Sequence, residues 1–345
     1  MGNRNGRIFS LTLLVIVLLN SSCGEINKKN EKTSKTDSLK TALSEINQKI
    51  TGDISNPDLY HSRSKLYLLD NEFDNALKDI NKAISLSDKN PLYYITLSDI
   101  YLLMGKPENC REALLRVINL DPANKTALLK EAKLELIVKD YKKTFEYVKK
   151  ALAVDKINPQ AYLTRGIALL ETGDTSGAVL DFQTTISQDQ RNYDAYMELG
   201  EIYSVKKDKL AVDYLKDALN IRPNNKEALY YLGMFYQENG QYDKAIQTYL
   251  ILGKADSLFK NAPYNIGYIY LVYLKEFKQA IKYFTDALKL DPVYVEAFYN
   301  RGLANEHDGN YSNAYKDYQK TLELKTNYQK AIDGLNRLDK VRYKK

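Results

Sequence analysis

The sequence predicts an all-α chain, a solenoid of about eight helix-turn-helix repeats with capping helices at both ends. Three observations carry this. A phrase of about 34 residues returns along residues 57–326: Tyr60, Ser64 and Tyr67 with Ala76, Ile80 and Ala83, later Tyr162, Gly166 and Leu169 with Ala178 and Phe182, later still Phe298 and Gly302 with Ala314 and Tyr318. In each half of the phrase the apolar and small residues are spaced i, i+4, i+7, which is one face of a helix. Turn signals such as Gly105-Lys106, Gly173-Asp174 and Gly240-Gln241 separate the halves.

The first 22 residues read as a targeting segment that lies outside the fold. Arg4 and Arg7 precede an apolar run from Ile8 to Leu19, and Asn20-Ser21-Ser22 leads to Cys23. Twelve helical residues reach about 18 Å, too short for the hydrocarbon core. The segment resembles a bacterial lipoprotein signal, in which a leucine and two small residues precede a cysteine that is acylated after cleavage. It departs from that pattern in having Asn20 at the leucine place, with Leu19 one residue back. Three readings follow: a lipoprotein lipidated at Cys23, a plainly secreted protein, and an uncleaved anchor. The resemblance implies tethering at the outer membrane, facing the periplasm, since Gly24 follows the cysteine and no acidic run comes after it.

Residues 23–36 are rich in Lys, Asn, Ser and Thr and predict a flexible tether of about 20 Å. Residues 37–56 hold Leu39, Leu43, Ile46 and Ile50 on one helical face and predict an N-terminal cap. The repeats begin at 57, 91, 125, 159, 193, 226, 260 and 295, with one-residue slips expected in the turns at 206–209 and 274–277. The small residue of each first helix (Ser98, Gly233) marks a close approach of two helices. Proline at 122, 223 and 292 stops the second helix one residue earlier. Residues 327–345 predict a closing helix, with Tyr328, Ile332, Leu335 and Leu338 on its apolar face, and a basic tail.

This 34-residue signature resembles the tetratricopeptide repeat (TPR). The resemblance spans about four fifths of the chain and implies a right-handed superhelical solenoid. Trp is absent, and the third repeat has Ala132 and Thr144 at its small places.

Composition narrows the function. The chain carries +6 in total; without the signal's two arginines, the tether's +2 and the tail's +4, the solenoid is left at −2. That lacks the basic stripe a nucleic-acid binder needs. The two histidines, His61 and His307, stand in the first and last repeats, and no metal-ligand spacing or phosphate loop is present. A non-enzyme without cofactors is expected. With Cys23 lipidated, Cys110 has no disulfide partner and sits at a small packing place.

Tyrosine is abundant, at 29 residues. Some tyrosines fill core places. Others fall at the fifth and ninth places of the first helix, which in the TPR family line the concave groove. There the last three repeats hold Tyr230 and Met234, Tyr264 and Tyr268, Tyr299 and Leu303. The sixth place carries Asn265 and Asn300, which in some TPR proteins form a ladder gripping a peptide backbone. Nearby Asp194, Glu198, Glu201, Glu227 and Glu238 favour a basic segment. A carboxylate clamp is excluded, because only Lys130 has the required charge. The expectation is a lipid-anchored, non-catalytic interaction scaffold that holds an extended, somewhat basic peptide or partner protein. The alternative is a carbohydrate- or cell-wall-binding module using the same tyrosines as stacking platforms.

Overall fold

An asparagine precedes six of the repeats, at Asn56, Asn90, Asn124, Asn158, Asn192 and Asn225. In each its side-chain oxygen accepts a backbone N–H two or three residues on. Four N–H groups at a helix start have no internal partner, so this cap fixes where each first helix begins. The computed structural model describes residues 30–342, with side chains for 38–340. Within them lie eighteen helices and no strand. The targeting segment, Cys23 and the start of the tether lie outside the described residues.

Residues up to Gln190 and those from Arg191 form two compact units. The first has the helix Asn30–Gly52 and four helical hairpins: Pro57–Leu69 with Phe73–Leu86, Pro91–Leu103 with Pro107–Leu120, Lys125–Ile137 with Tyr141–Val154, and Pro159–Glu171 with Thr175–Gln188. The second has Tyr193–Val205 with Leu210–Ile221, Lys226–Glu238 with Tyr242–Ala255, Asn261–Tyr268 (continuing as Ile269–Leu274) with Phe277–Leu290, and Val295–His307 with Tyr311–Leu324, then Gln329–Arg342.

Two features depart from the sequence reading. The N-terminal helix begins at Asn30, inside the stretch read as tether. Residues 30–36 contain no Gly or Pro, and extending a helix already nucleated over the apolar residues that follow is cheap. The extra residue of the seventh repeat is not taken up in the turn. It widens the end of the first helix into a π-helical turn at Ile269–Leu274.

Each hairpin turns through a left-handed residue: Asn71, Gly105, Lys139, Gly173, Lys207, Gly240, Lys275 and Gly309, with φ between 55° and 97°. In seven of the eight, the following N–H reaches back five residues, as from Lys106 to the Tyr101 carbonyl at 2.8 Å, which closes a Schellman turn. In the seventh repeat it reaches six residues, from Glu276 to Tyr270 at 2.9 Å, because of the π turn. Only four of the eight turns use glycine, so the Gly signals marked half of them.

Packing within a hairpin follows a volume rule. The glycines Gly166, Gly233, Gly267 and Gly302 face the rings of Phe182, Tyr249, Phe284 and Tyr318. Where the small residue is Ser64, Ser98 or Ala132, the same place opposite holds Ile80, Leu114 or Val148, all fully buried. Gly200 with Leu215 is the exception. The closing helix repeats the device: Gly334 lies against the other edge of Tyr318, and Arg337 pairs with Glu306 at 2.7 Å. At the other end Ile46 and Ile50 pack on the cluster of Tyr60 and Ile80.

Three hairpins are also clamped by a buried bidentate ion pair sixteen residues apart: Arg63–Asp79, Arg165–Asp181 and Arg301–Asp317, at 2.6 to 3.0 Å. The third repeat has no such pair. Its first helix buries Glu131 and Glu135, which share the Arg111 of the preceding repeat. Arg111 binds Glu135 at 2.7 Å, whereas both Glu131 oxygens lack a hydrogen bond. Burial, and next the Glu135 carboxylate, push Glu131 up to about 7. Cys110 is buried and raised to about 12, chiefly by burial and next by the Glu131 carboxylate, so it stays a packing thiol.

Candidate functional site

Helical spacing places the second, fifth, sixth and ninth residues of a first helix on one face. In the second unit this face carries Tyr230 and Met234, Tyr264 and Tyr268, then Tyr299, all half-buried. Each tyrosine ring is held by another ring. Tyr264 stacks on Tyr294 at 4.9 Å and leans on Phe284 at 5.7 Å. Tyr230 meets Phe259 edge-on at 5.6 Å, and Tyr268 meets Tyr273 edge-on at 6.1 Å. Tyr299 lies between Tyr318 and Tyr328, at 5.9 and 5.3 Å. Each such pair contributes roughly 0.5–1.5 kcal/mol beyond burial, so the stripe is rigid. Ring faces already covered in this way are poor platforms for a sugar. Burial raises the Tyr230, Tyr264 and Tyr299 hydroxyls, which are neutral donors at neutral pH.

The two asparagines sit differently. Asn300 is buried, and its amide donates to the Tyr264 hydroxyl at 2.9 Å. Asn265 is half-buried, and its amide lowers the raised Tyr230 and Tyr249 hydroxyls. The same place in the second repeat, Thr96, pairs with His61 of the first at 2.9 Å. In the second and eighth repeats the sixth place therefore acts as a rung between neighbours, from residue six of one repeat to residue five of the one before. An amide committed to a rung has less left for a peptide backbone than the ladder reading expects.

The expected acids sit at the start of the same unit. Glu198 and Glu201 are half-buried and Glu238 is exposed. Tyr231 is bonded to Glu201, and the carboxylates of Glu201, Glu227 and Glu198, after burial, push its hydroxyl up.

Sequence reasoning missed a cleft of about 870 Å³ in the first unit, lined by Leu102, Leu103, Leu129, Lys130, Lys133 and Ile157 among others. Lys130 pairs there with Asp99 at 2.5 Å, and Lys133 donates to Gln160 at 2.9 Å. Its signal was available: Leu68-Leu69, Leu102-Leu103 and Leu136-Ile137 end the first three first helices in apolar pairs. The Arg–Asp clamps were legible too, since Arg stands seventh only where Asp follows sixteen residues on. Among the described residues no group of three or more His, Cys, Asp or Glu could hold a metal ion, and no helix is long and apolar enough to cross a membrane.

Tetratricopeptide repeat models match residues 57–90, 92–124, 214–247 and 269–329. Tetratricopeptide repeats are thus present at those residues, and the fold is a TPR solenoid. It is 35% identical over 82 residues to a peroxisomal targeting signal receptor of Candida albicans, covering 23% of this chain and 14% of that protein. It is 26% identical over 179 residues to a DnaJ homolog subfamily C member 3 homolog of Dictyostelium discoideum, covering 47% of this chain and 36% of that protein. The chain thus spans about a third or less of the length of these curated relatives. The crystal structure of a tetratricopeptide repeat protein from Parabacteroides merdae is similar over 72% of this chain and 98% of that one, at 15% identity and a TM-score of 0.48.

Proposed function

We propose that the protein is a non-catalytic interaction scaffold, anchored through acylated Cys23 at the periplasmic side of an outer membrane, that holds an extended segment of a partner protein. The TPR fold supports the scaffold role. The tyrosine stripe of the second unit carries the placement. Tyr230, Tyr264, Tyr268 and Tyr299 stay half-exposed on one face while their own rings and rungs hold them rigid, so a partner meets large apolar area with little ordering left to lose. The lipid anchor rests on the sequence pattern before Cys23 alone.

Two measurements test the two parts. Capture from membranes by the full chain and by a Tyr264→Ala, Tyr299→Ala variant should recover the same partner from the first and little of it from the second. Equal recovery by a folded variant overturns the groove assignment. Cys23→Ser should lose palmitate labelling and leave the membrane fraction; a variant that still labels and sediments overturns the anchor.

A further inference from the structure

The place before each repeat changes character along the chain. Before the first six repeats it is the asparagine that caps the first helix. Before the seventh and eighth repeats and the closing helix it is Phe259, Tyr294 and Tyr328. The backbone register does not change. The N–H groups of Ala262, Ala297 and Ala331 reach the carbonyls of these three residues at 2.9 to 3.1 Å, as Ala161 reaches Asn158 at 3.0 Å. What is lost is the side-chain cap: neither the helix from Asn261 nor that from Val295 has one.

The exchange coincides with the tyrosine stripe. At the fifth place of the first helix the first five repeats hold His61, Ile95, Leu129, Leu163 and Met197, and the last three hold Tyr230, Tyr264 and Tyr299. Each of these tyrosines meets the aromatic that begins the next repeat: Tyr230 with Phe259 at 5.6 Å, Tyr264 with Tyr294 at 4.9 Å, Tyr299 with Tyr328 at 5.3 Å. A lost cap and a gained ring pair are similar in size, so the exchange brings little stability. What it brings is surface: six half-buried rings standing as three ridges, one per repeat. Their faces are partly covered by one another, and that of Tyr294 also by Lys260 at 4.5 Å, so the rings offer chiefly edges and hydroxyls. Ring edges carry partial positive charge. The Tyr264 hydroxyl accepts from Asn300 at 2.9 Å, which leaves its own O–H to donate.

We infer that these ridges bind a proline-rich segment of the partner in the polyproline II conformation, with Phe259, Tyr294 and Tyr328 as contact residues beside the groove tyrosines. This deepens the groove reading above and rests on it. Two properties select the occupant. One is charge complementarity: the ring edges and hydroxyls present positive charge and donors. A polyproline II segment presents bare backbone carbonyls, and its prolines have no N–H to satisfy. The other is period. Packed neighbouring first helices lie about 8–10 Å apart, and three residues of polyproline II advance about 9 Å, so every third residue falls into a slot between ridges. A β-extended segment alternates its faces every two residues and carries N–H groups that require acceptors. The preformed conformation also has little ordering to lose on a rigid aromatic surface.

The test uses the full chain and three capped ten-residue peptides: decaproline, a Gly-Ser repeat and an Ala-Thr repeat. Decaproline spans about 31 Å, enough to cross all three ridges. By calorimetry it should bind about tenfold or more tightly than the other two, with little dependence on salt because no ion pair forms. Phe259→Asn with Tyr294→Asn returns the repeat's own cap residue to both places. Decaproline affinity should then fall about tenfold while the melting temperature moves by no more than about 3 °C. Phe259→Leu with Tyr294→Leu keeps apolar bulk without the rings and should lose as much; it serves where the asparagine variant does not fold. Equal binding of the three peptides, no binding of decaproline, or undiminished binding by a folded variant overturns the inference. Tighter binding of the Ala-Thr repeat assigns the ridges to a β-extended segment and overturns it too. If Tyr264→Ala, Tyr299→Ala abolishes partner capture but decaproline neither binds nor competes with the partner, the inference falls and the groove stands. If neither pair of variants changes capture, both fall.

Discussion

A Cβ placed on Gly233 would stand 2.5 Å from Cε1 of Tyr249. The ring fills the space a side chain would need, and Tyr249 is fully buried there, with its hydroxyl donating to Gln237 at 3.1 Å. Glycine in the middle of a helix costs roughly 0.5–1 kcal/mol against alanine, so the ring's burial must offset that penalty.

Gly233→Leu should therefore destabilise the second unit by about 1–3 kcal/mol or more, since neither backbone can retreat. Tyr249→Leu in the same chain should recover part of the loss, because the smaller side chain opposite returns some of the space that the ring fills. Lys226→Ala removes only an exposed lysine 3.6 Å from Asp256 and should shift stability by under about 0.5 kcal/mol. Melting temperatures of the three variants check the order; equal values for Gly233→Leu and Lys226→Ala would mean that the packing register is wrong.

Four of the eight hairpin turns put a side chain in the left-handed region. Lys207, at φ 55°, carries a Cβ that crowds the neighbouring carbonyl, a cost of roughly 1–2 kcal/mol. Lys207→Gly should stabilise the fold by about 0.5–1 kcal/mol once the greater freedom of the unfolded glycine is subtracted, and so raise the melting temperature. The mirror experiment, Gly240→Ala at φ 71°, should lower it.

The third repeat should lose stability as pH rises. Glu131 has a folded pKa of about 7 against 4.5 for a glutamate in water. The folded state therefore holds this proton more tightly than the unfolded one. Its contribution is complete below pH 4.5 and is lost as pH climbs through 7, because ionisation then leaves a second buried carboxylate beside Glu135, which already draws on Arg111 and Lys143. The span corresponds to a loss on the order of 3 kcal/mol. Glu131→Gln should flatten that part of the profile. Hydrogen exchange across Lys125–Ile137 between pH 5 and 9 reads it locally; parallel profiles for the wild type and Glu131→Gln would refute the assignment.

The solenoid was legible because its cause is periodic. Each small residue, each large partner and each cap returns at a fixed interval, so one repeat corroborates the next. What was not legible departs from the period or lies across it. The π turn at Ile269–Leu274 appears in the sequence only as a 35-residue step, which does not say whether the turn or the helix absorbs it. Glu131 and Glu135 look like surface acids until their helix is seen to bury them against Arg111. The groove tyrosines were placed by their register, but a register does not show what a hydroxyl touches. That is why Asn300, placed by register where a peptide would be held, has a tyrosine partner in the repeat before.

Those rungs change what asparagine removal should do. Asparagines that only gripped a peptide would let Asn265→Ala with Asn300→Ala weaken partner capture and leave unfolding almost unmoved. In the structure, Asn300→Ala removes the donor to the Tyr264 hydroxyl, a partly buried group whose ring is stacked on Tyr294. An unsatisfied buried hydroxyl costs about 1–3 kcal/mol, so the single variant should lower stability by an amount in that range. Asn300→Ala combined with Tyr264→Phe removes both partners and should be less destabilised than Asn300→Ala alone, the sign of a rung rather than a ligand contact. A double-mutant cycle by thermal melts gives the coupling directly. If the cycle shows no coupling while the folded Asn300→Ala variant loses its partner, the amide serves the peptide and not the neighbouring repeat. A clear coupling with capture unchanged makes Asn300 a positioning residue, which holds Tyr264 at the angle the groove presents.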